Sequence, residues 1–489
     1  MLLSISPLLL TAQHTNDTLP KRKLSVQDQL YGFEERITEA ENQLFKLTRI
    51  HLSGYIQAQW QHFENPAVYP NNYFSIPRAR FKIKYQPYSG VSFVLEPDFT
   101  PSKVSIKAAY ACLNDPWINT FALYAGHIKR LNYENELSSS ALAVLTRSMV
   151  VSALYPGEYD IGAKFEVNPP QLPFHLQLAL FNGNESLVIT NAEGDNINPA
   201  NKDFDPYKDL MGRFVYNFRL GNIGGIDVGV SGYYGWIKAN STTLLHSDYT
   251  FARELSVGNS VPRRWMGVEM QLYLDLLGGI SVIGEYLFGT NAYPGYMGSS
   301  TITAPSAVEL INDTMFITNS VTNTSVVTPA ISRNFMGAYI YFIKNIGKKN
   351  KFAIRWEFYD PNTALTANRI GIASFDESTH NTVTETTVTG HDPVVSESDI
   401  HQTNDVNTLK SGVADIAYQN ISMAWSYYVT EHITLQAAYD IPLNQKVGTN
   451  AAGQGNVIRS YTVNDNTVVN DYSRVFPQNI LTIRMQVKF

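Results

Sequence analysis

The 489-residue chain has one cysteine, Cys112, which excludes an intrachain disulfide framework and a cysteine-only zinc site. Long apolar runs are missing too: no stretch approaches the length of about 20 residues that a spanning helix requires. Charged residues make up 16% of the chain and the formal net charge is −6, so the basic excess of a nucleic-acid-binding surface is absent. HExxH and phosphate-loop patterns are absent as well. His127 and His175 fall on strand-like segments, but neither has a serine-hydrolase or protease context around it. No enzyme, cofactor or metal is expected. Aromatic residues are abundant, with 29 Tyr, 24 Phe and 6 Trp, enough to line interfaces at many points.

The N-terminus, MLLSISPLLLTAQ, is short and apolar and is followed by the polar stretch HTNDTLPKRK. Residues 1–12 therefore read as a secretory leader with cleavage after Ala12, and 13–24 as a linker. Over 25–50 the periodicity is helical. Val26, Phe33, Ala40 and Leu47 fall on one seam position and Leu30, Ile37 and Leu44 on the other, the a/d pattern of a coiled coil. Arg36 and Glu41 have the g/e spacing of an interchain pair. Gly32 costs roughly 1 kcal/mol of helix propensity relative to Ala. A single amphipathic helix packed on the rest of the protein is the alternative reading.

From His51 onward a period of two takes over. In HLSGYIQAQW, Leu52, Gly54, Ile56, Ala58 and Trp60 share one face and Ser53, Tyr55, Gln57 and Gln59 the other. RARFKIKYQ sets Ala79, Phe81, Ile83 and Tyr85 against Arg78, Arg80, Lys82, Lys84 and Gln86. Further segments of this kind lie at about 91–98, 103–111, 121–127, 159–167, 174–181, 211–220, 226–236, 264–275, 279–288, 333–344, 351–360, 414–427, 432–440 and 479–489, making 16. Short turns such as QPYSG, LNDPWIN, NPPQLP, LGNIGG, KNIGKKN and VTEH alternate with connections that are mostly long and polar. An even count of roughly 10-residue strands joined this way describes an all-β, 16-stranded antiparallel transmembrane barrel over 51–489. Both its ends lie on the periplasmic side of an outer membrane. Closure removes the two open edges that so large a sheet would otherwise expose.

The last segment, ILTIRMQVKF, closes the barrel. It places Leu481, Ile483, Met485, Val487 and Phe489 toward lipid, and Thr482, Arg484, Gln486 and Lys488 toward the lumen. Phe489 resembles the terminal signal that barrel assembly machinery reads. A soluble array of β-sandwiches would need inter-domain linkers, and a plugged receptor would need about 22 strands.

The succession GYIQAQW, PRARFKIKY, FVLEPDF, YAGHIKRLNYENELSSS, LTRSMV, YDIGAKF and RWEFYDPN resembles the phosphate-selective porin O and P family, from about Leu52 to the C-terminus. The resemblance implies a homotrimeric outer-membrane porin of a Bacteroidetes-like Gram-negative cell, with a lumen carrying Arg and Lys that pass anions. Here the chain departs from the family, because its net charge is acidic. The expected partners are the bilayer and small hydrophilic solutes or anions, with no nucleic acid.

A 16-stranded barrel is wide enough for an aqueous channel, and charged side chains at its constrictions set selectivity. Arg78, Arg80, Lys82 and Lys84 share one face of the second strand, with Lys103 and Lys107 on the fourth. Lumenal neighbours along one strand are about 6.6–6.8 Å apart, a step an anion can take. The alternative is a neutral ladder in which Glu96 and Asp98 pair with these cations. The connection HIKRLNYENELSSSALAVLTRSMVVSALYPGEY carries apolar runs, ALAVL and MVVSAL, that are badly placed in water. Porin-like barrels fold this loop inward, which makes Lys129, Arg130 and Arg147 constriction residues opposed by Glu134 and Glu136. A loop packed against a neighbouring subunit is the alternative. A closed barrel that serves an outer-membrane complex as a structural or assembly part is the rival function. The Thr/Asn/Ser-rich loops 299–330 and 376–410 read as adaptable or partly disordered.

Overall fold

The computed structural model describes residues 49–489 apart from 65–69, 102, 184–188, 191–195, 198–204, 277, 312–313, 366–373, 390–400, 413–414, 444–456, 464–465 and 472–478. It gives the backbone alone at 103, 189–190 and 196–197, and in the long-loop strands named below. The chain falls into two units, Met1–His51 and Leu52–Phe489. The leader, linker and coiled coil expected over 1–50 lie outside the described residues but for the last two.

Sixteen strands form one closed antiparallel barrel: β1 Ile50–Phe63, β2 Asn72–Tyr88, β3 Val91–Thr100, β4 Lys103–Asn114, β5 Phe121–Lys129, β6 Tyr159–Val167, β7 Phe174–Phe181 and β8 Asp209–Arg219 make the first half. The second half is β9 Gly224–Lys238, β10 Ser260–Leu274, β11 Ile280–Tyr293, β12 Ala330–Ile346, β13 Asn350–Asp360, β14 Tyr418–Tyr428, β15 Ile433–Pro442 and β16 Ile480–Lys488. Each strand pairs with its neighbours in sequence, and β16 returns to β1 with Tyr55 opposite Lys488 and Phe63 opposite Ile480. Every strand read from the alternation of the sequence is present.

The alternation places side chains as two-sided burial requires. Along β16, Ile483 and Met485 are 51% and 48% exposed on the outer face, whereas Arg484 and Gln486 are 4% and 2% exposed within. The exposed large side chains of the other strands, among them Phe93, Leu123, Phe214, Met266, Phe342 and Trp425, continue an apolar outer belt around the wall. At the closing seam the terminal residue itself is paired. Gly54 N donates to Phe489 O at 3.0 Å and Phe489 N to Gly54 O at 3.1 Å. A Cβ on Gly54 would collide with the Phe489 ring and lie 2.6 Å from Arg80 O. Only glycine lets the terminal ring lie over β1 and meet Phe81, 6.0 Å away between centroids.

Two connections depart from expectation. The β3–β4 link on the long-loop side is as short as any turn, spanning residues 101–102. The loops 299–330 and 376–410, expected to be adaptable, instead contribute Tyr296–Ile311, Thr314–Thr328, Ser374–Thr389 and His401–Gly412 to a second, six-stranded sheet completed by Val457–Val463 and Asn466–Asp471. Threonine and valine favour extended backbone, and these stretches are rich in both. Polarity alone had suggested disorder.

Candidate functional site

Loop L3, Arg130–Glu158, leaves the wall between β5 and β6 and crosses the lumen. It carries two short helices, α1 Tyr133–Glu136 and α2 Met149–Leu154. Asn132 caps α1 by accepting from Glu134 N at 3.0 Å. Ahead of α2, the Ser148 amide and hydroxyl both donate to the Glu134 carboxylate, at 2.8 and 2.7 Å. The two halves of the loop are thereby tied together.

The apolar runs settle the direction of the loop. Leu131, Val144, Leu145, Val150, Val151 and Leu154 pack with inward-facing Phe181, Met211, Trp265, Leu287, Phe335 and Tyr339 into one dry core. Each fully buried aliphatic side chain stabilises by roughly 1.5–3 kcal/mol relative to exposure. Six of them outweigh thermal motion by a wide margin, so L3 is a fixed partition. At Gly337 of β12 a Cβ would lie 2.6 Å from Val150 Cγ2, so the far wall is notched to receive the loop.

Polar contacts hold L3 to strands well away from its origin. Asn132 Nδ2 donates to both carboxylate oxygens of Glu285 on β11 at 2.7 Å, and Tyr339 OH donates to the same group at 2.8 Å. Tyr341 OH donates to Glu134. Arg355 on β13 donates to Thr146 O at 2.6 Å and to Glu357 at 2.9 Å, while Met149 N donates to Glu357 at 2.7 Å. On β16, Arg484 donates to Leu145 O at 3.2 Å and Gln486 to Ser140 O at 3.2 Å. Buried polar groups demand such partners, and the wall supplies them. Most lumenal side chains are consequently buried, including Gln57, Arg213, Glu269, Ser426 and Gln436. Among the described residues the lumen is narrowed by L3, which folds to the side expected of it.

The three loop cations named from sequence serve the loop itself. Lys129 Nζ donates to Glu136 O and Leu137 O at 3.1 and 2.9 Å. Arg130 pairs with Asp160 at 3.0 Å. Arg147 donates to Glu134 O, to Leu137 O and to the Glu158 carboxylate, the last at 2.8 Å. Glu134 and Glu136 do not oppose them as carboxylates: Glu134 is taken by Ser148 and Tyr341, and Glu136 accepts from Gln177 at 3.3 Å.

On β2 the cations divide. Arg80 is paired with Asp98 at 3.0 Å and lies 3.7 Å from Glu96. Arg78 donates to the neutral Gln57 at 3.3 Å. Among the described residues Arg78, Lys82 and Lys84 have no carboxylate within ion-pair distance. Lys107 is the extra residue of a β-bulge between Ala108 and Ile106, which oppose Glu96 and Pro97. The side chain of Lys103 lies outside the described residues.

Among the described residues, two cavities lie beside L3. The first, of about 630 Å³, lies among β1–β7, with Lys82, Lys129, Lys488, Tyr55, Tyr124 and Tyr159 on its lining. The second, of about 660 Å³, lies between L3 and β13–β16, with Arg147, Arg355, Glu357 and Asp440. Arg355 and Glu357 stand in RWEFYDPN, where alternation fixed their inward side but nothing local announced Thr146 as a partner. Asn132 and Glu285, 153 residues apart, left no sequence signal.

The lock between Arg147 and Glu158 is sensitive to acid. Burial raises the Glu158 pKa, but the Arg147 guanidinium together with Arg80 and Arg78 holds the carboxyl below its ordinary 4.5. A depressed folded pKa contributes stability above the unfolded value that is lost as pH falls through the folded one. Below pH 4.5 the Arg147 end of L3 is therefore expected to loosen, with lower amide protection factors over the loop once the intrinsic slowing of exchange in acid is divided out. Protection factors that do not change from neutral pH to below that point would show that the pair contributes nothing.

No family model matches this chain, and no curated protein does. Solved structures with a similar path include an anion-selective porin from Comamonas acidovorans, at 9% identity and TM-score 0.45, covering 90% of this chain and 99% of that one. Pseudomonas putida OprB at high pH follows at 9% and 0.49, covering 90% and 94%. OmpF of Salmonella typhi in complex with Daunomycin follows at 10% and 0.42, covering 90% and 97%. At such identity and TM-score none of them assigns a solute or a selectivity to this chain.

Proposed function

We propose that this chain is an outer-membrane porin whose L3 narrows the barrel to a restricted, anion-preferring route for small hydrophilic solutes. The apolar outer belt, over a wall with every strand edge paired, supports a bilayer setting, because only closed barrels and helices satisfy the backbone there. The observation that carries the channel reading is the lumenal cation set. Arg78, Lys82 and Lys84 carry no carboxylate among the described residues, and Arg484 has only Gln59 and a carbonyl. Fixed charge of one sign along a narrow lumen selects the opposite ion. Arg80 is set aside, since Asp98 and Glu96 hold it.

Trimerisation, the coiled coil over 25–50, the leader over 1–12, recognition of Phe489 by barrel assembly machinery and the Bacteroidetes-like setting belong to this proposal and rest on the sequence. So does membership of the phosphate-selective porin O and P family. One observation favours the rival, a closed barrel serving a complex: L3 is packed into the wall through a dry core. Purified protein in a planar bilayer separates the two. The porin reading expects small unitary steps with a reversal potential on the anion side, moving toward cations in the Arg78→Gln, Lys82→Gln double variant. The shift should be larger in dilute salt, where the Debye length exceeds about 10 Å. A silent bilayer would favour the closed scaffold, and cation-selective steps would overturn the anion preference.

A further inference from the structure

We infer that the cavity among β1–β7 is a binding subsite for an acidic sugar, a mono- or disaccharide bearing a uronate carboxylate. This inference rests on the porin reading and specifies a solute for it. The volume of about 630 Å³ falls inside the range of roughly 300–1,000 Å³ typical of small-molecule sites.

The charge of the lining is uneven. Asp98 neutralises Arg80 at 3.0 Å, which leaves Glu96, 3.7 Å from Arg80, in excess, and Glu166 neutralises Lys164 at 2.6 Å. Lys82, Lys129 and Lys488 then remain against Glu96 and Glu136. Lys129 is spent on two carbonyls. The side chains of Lys82 and Lys488 have no hydrogen bond or ion pair among the described residues, and theirs are the ammoniums that a carboxylate would meet. An inorganic anion needs no more than these.

The rest of the lining asks for a larger, ring-shaped and hydroxyl-rich body. Tyr55, Tyr110, Tyr124 and Tyr159 present four phenol rings, with Ser53, Ser138 and Ser140 between them. Lys164 Nζ sits 4.4 Å from the Tyr124 ring centroid, which fixes that ring's plane from one side. One polar atom on the lining, His175 Nε2, is buried without a hydrogen-bond partner among the described residues, while the Tyr55 hydroxyl faces that of Ser139. An unmet buried polar atom costs roughly 1–3 kcal/mol, a cost that a ligand hydroxyl reaching His175 would remove. Phenol rings suit the C–H faces of a pyranose ring, serines and His175 suit its hydroxyls, and the two ammoniums suit its carboxylate.

The test is calorimetric titration of the folded full chain in detergent with glucuronate and digalacturonate, against glucose, acetate and inorganic phosphate. The uronates should bind at least tenfold more tightly than each of the three others. The Lys82→Gln, Lys488→Gln double variant should lose that preference, and His175→Phe should weaken uronate binding while acetate stays unchanged. Heat-modifiable migration checks that each variant is folded, and Lys82→Arg should retain the preference if Lys488→Gln disturbs the terminal strand. Uronate binding no tighter than glucose, or phosphate binding as tight as uronate, would overturn the inference. Bilayer recording keeps this separate from the porin reading. A conducting protein that ignores uronates refutes the subsite and leaves the channel, whereas uronate binding by a silent barrel keeps the subsite and refutes the channel.

Discussion

Excising residues 138–156 and joining the ends with a short Gly-Ser turn should convert the barrel into a wide, weakly selective pore, with unitary conductance raised severalfold. The removed segment carries Val144, Leu145, Val150, Val151 and Leu154, the loop's share of the lumenal core. It also carries the carbonyls that Arg355 and Arg484 hold. The wall should survive, because its sixteen strands pair in succession around the ring and no strand ladder runs through L3. Lumenal changes in such barrels tune permeation more than they disturb the lipid-facing wall. The stranded polar groups of the wall, such as Glu285 and Arg355, would then be solvated rather than left dry. Melting measured by loss of heat-modifiable migration provides the control. A folded variant with wild-type conductance would mean that L3 does not limit the passage.

The second large effect is expected at the closing seam. Deleting Phe489 removes two backbone hydrogen bonds to Gly54, each worth roughly 0.5–1.5 kcal/mol net, together with the ring that lies over β1. Gly54→Val should act from the other side, since its side chain would occupy the place of that ring and press on Arg80 O, 2.6 Å from the Cβ position. Both variants should lower the assembled fraction in the membrane. Restoring the ring as Phe489→Tyr should return most of it, whereas Phe489→Ala should not. An unchanged folded fraction in both Gly54→Val and the deletion would show that the barrel closes without its terminal residue.

The barrel was legible because its information is local. One face of each strand meets lipid and the other the lumen, so a period of two is written into segments as short as RARFKIKYQ and ILTIRMQVKF, and their sides come out as read. The inward course of L3 was legible for a related reason: ALAVL and MVVSAL need cover, and the lumen is the cover at hand. What the loop touches was not legible. Asn132 meets Glu285 and Thr146 meets Arg355 across the barrel, at separations of 153 and 209 residues, where no periodicity reaches. Charge was legible in place but not in partnership. Arg78, Arg80, Lys82 and Lys84 look equivalent along the strand, yet among the described residues only Arg80 comes within ion-pair distance of Asp98 and Glu96. The loop strands between 296 and 471 escaped because polarity weighed more than β-branching.

That L3 spans the lumen can be measured without any current. Val150 on α2 and Gly337 on β12 approach so closely that a Cβ at 337 would lie 2.8 Å from Val150 Cβ. Disulfide-bonded cysteines have Cβ atoms about 3.5–4.5 Å apart, so a shift of well under 2 Å accommodates a bridge. In a Cys112→Ser background, Val150→Cys with Gly337→Cys should form a disulfide in assembled protein, seen as loss of maleimide labelling that reduction restores. Two free thiols, both labelled in folded barrels under oxidising conditions, would place the loop elsewhere and contradict the partition on which the account rests.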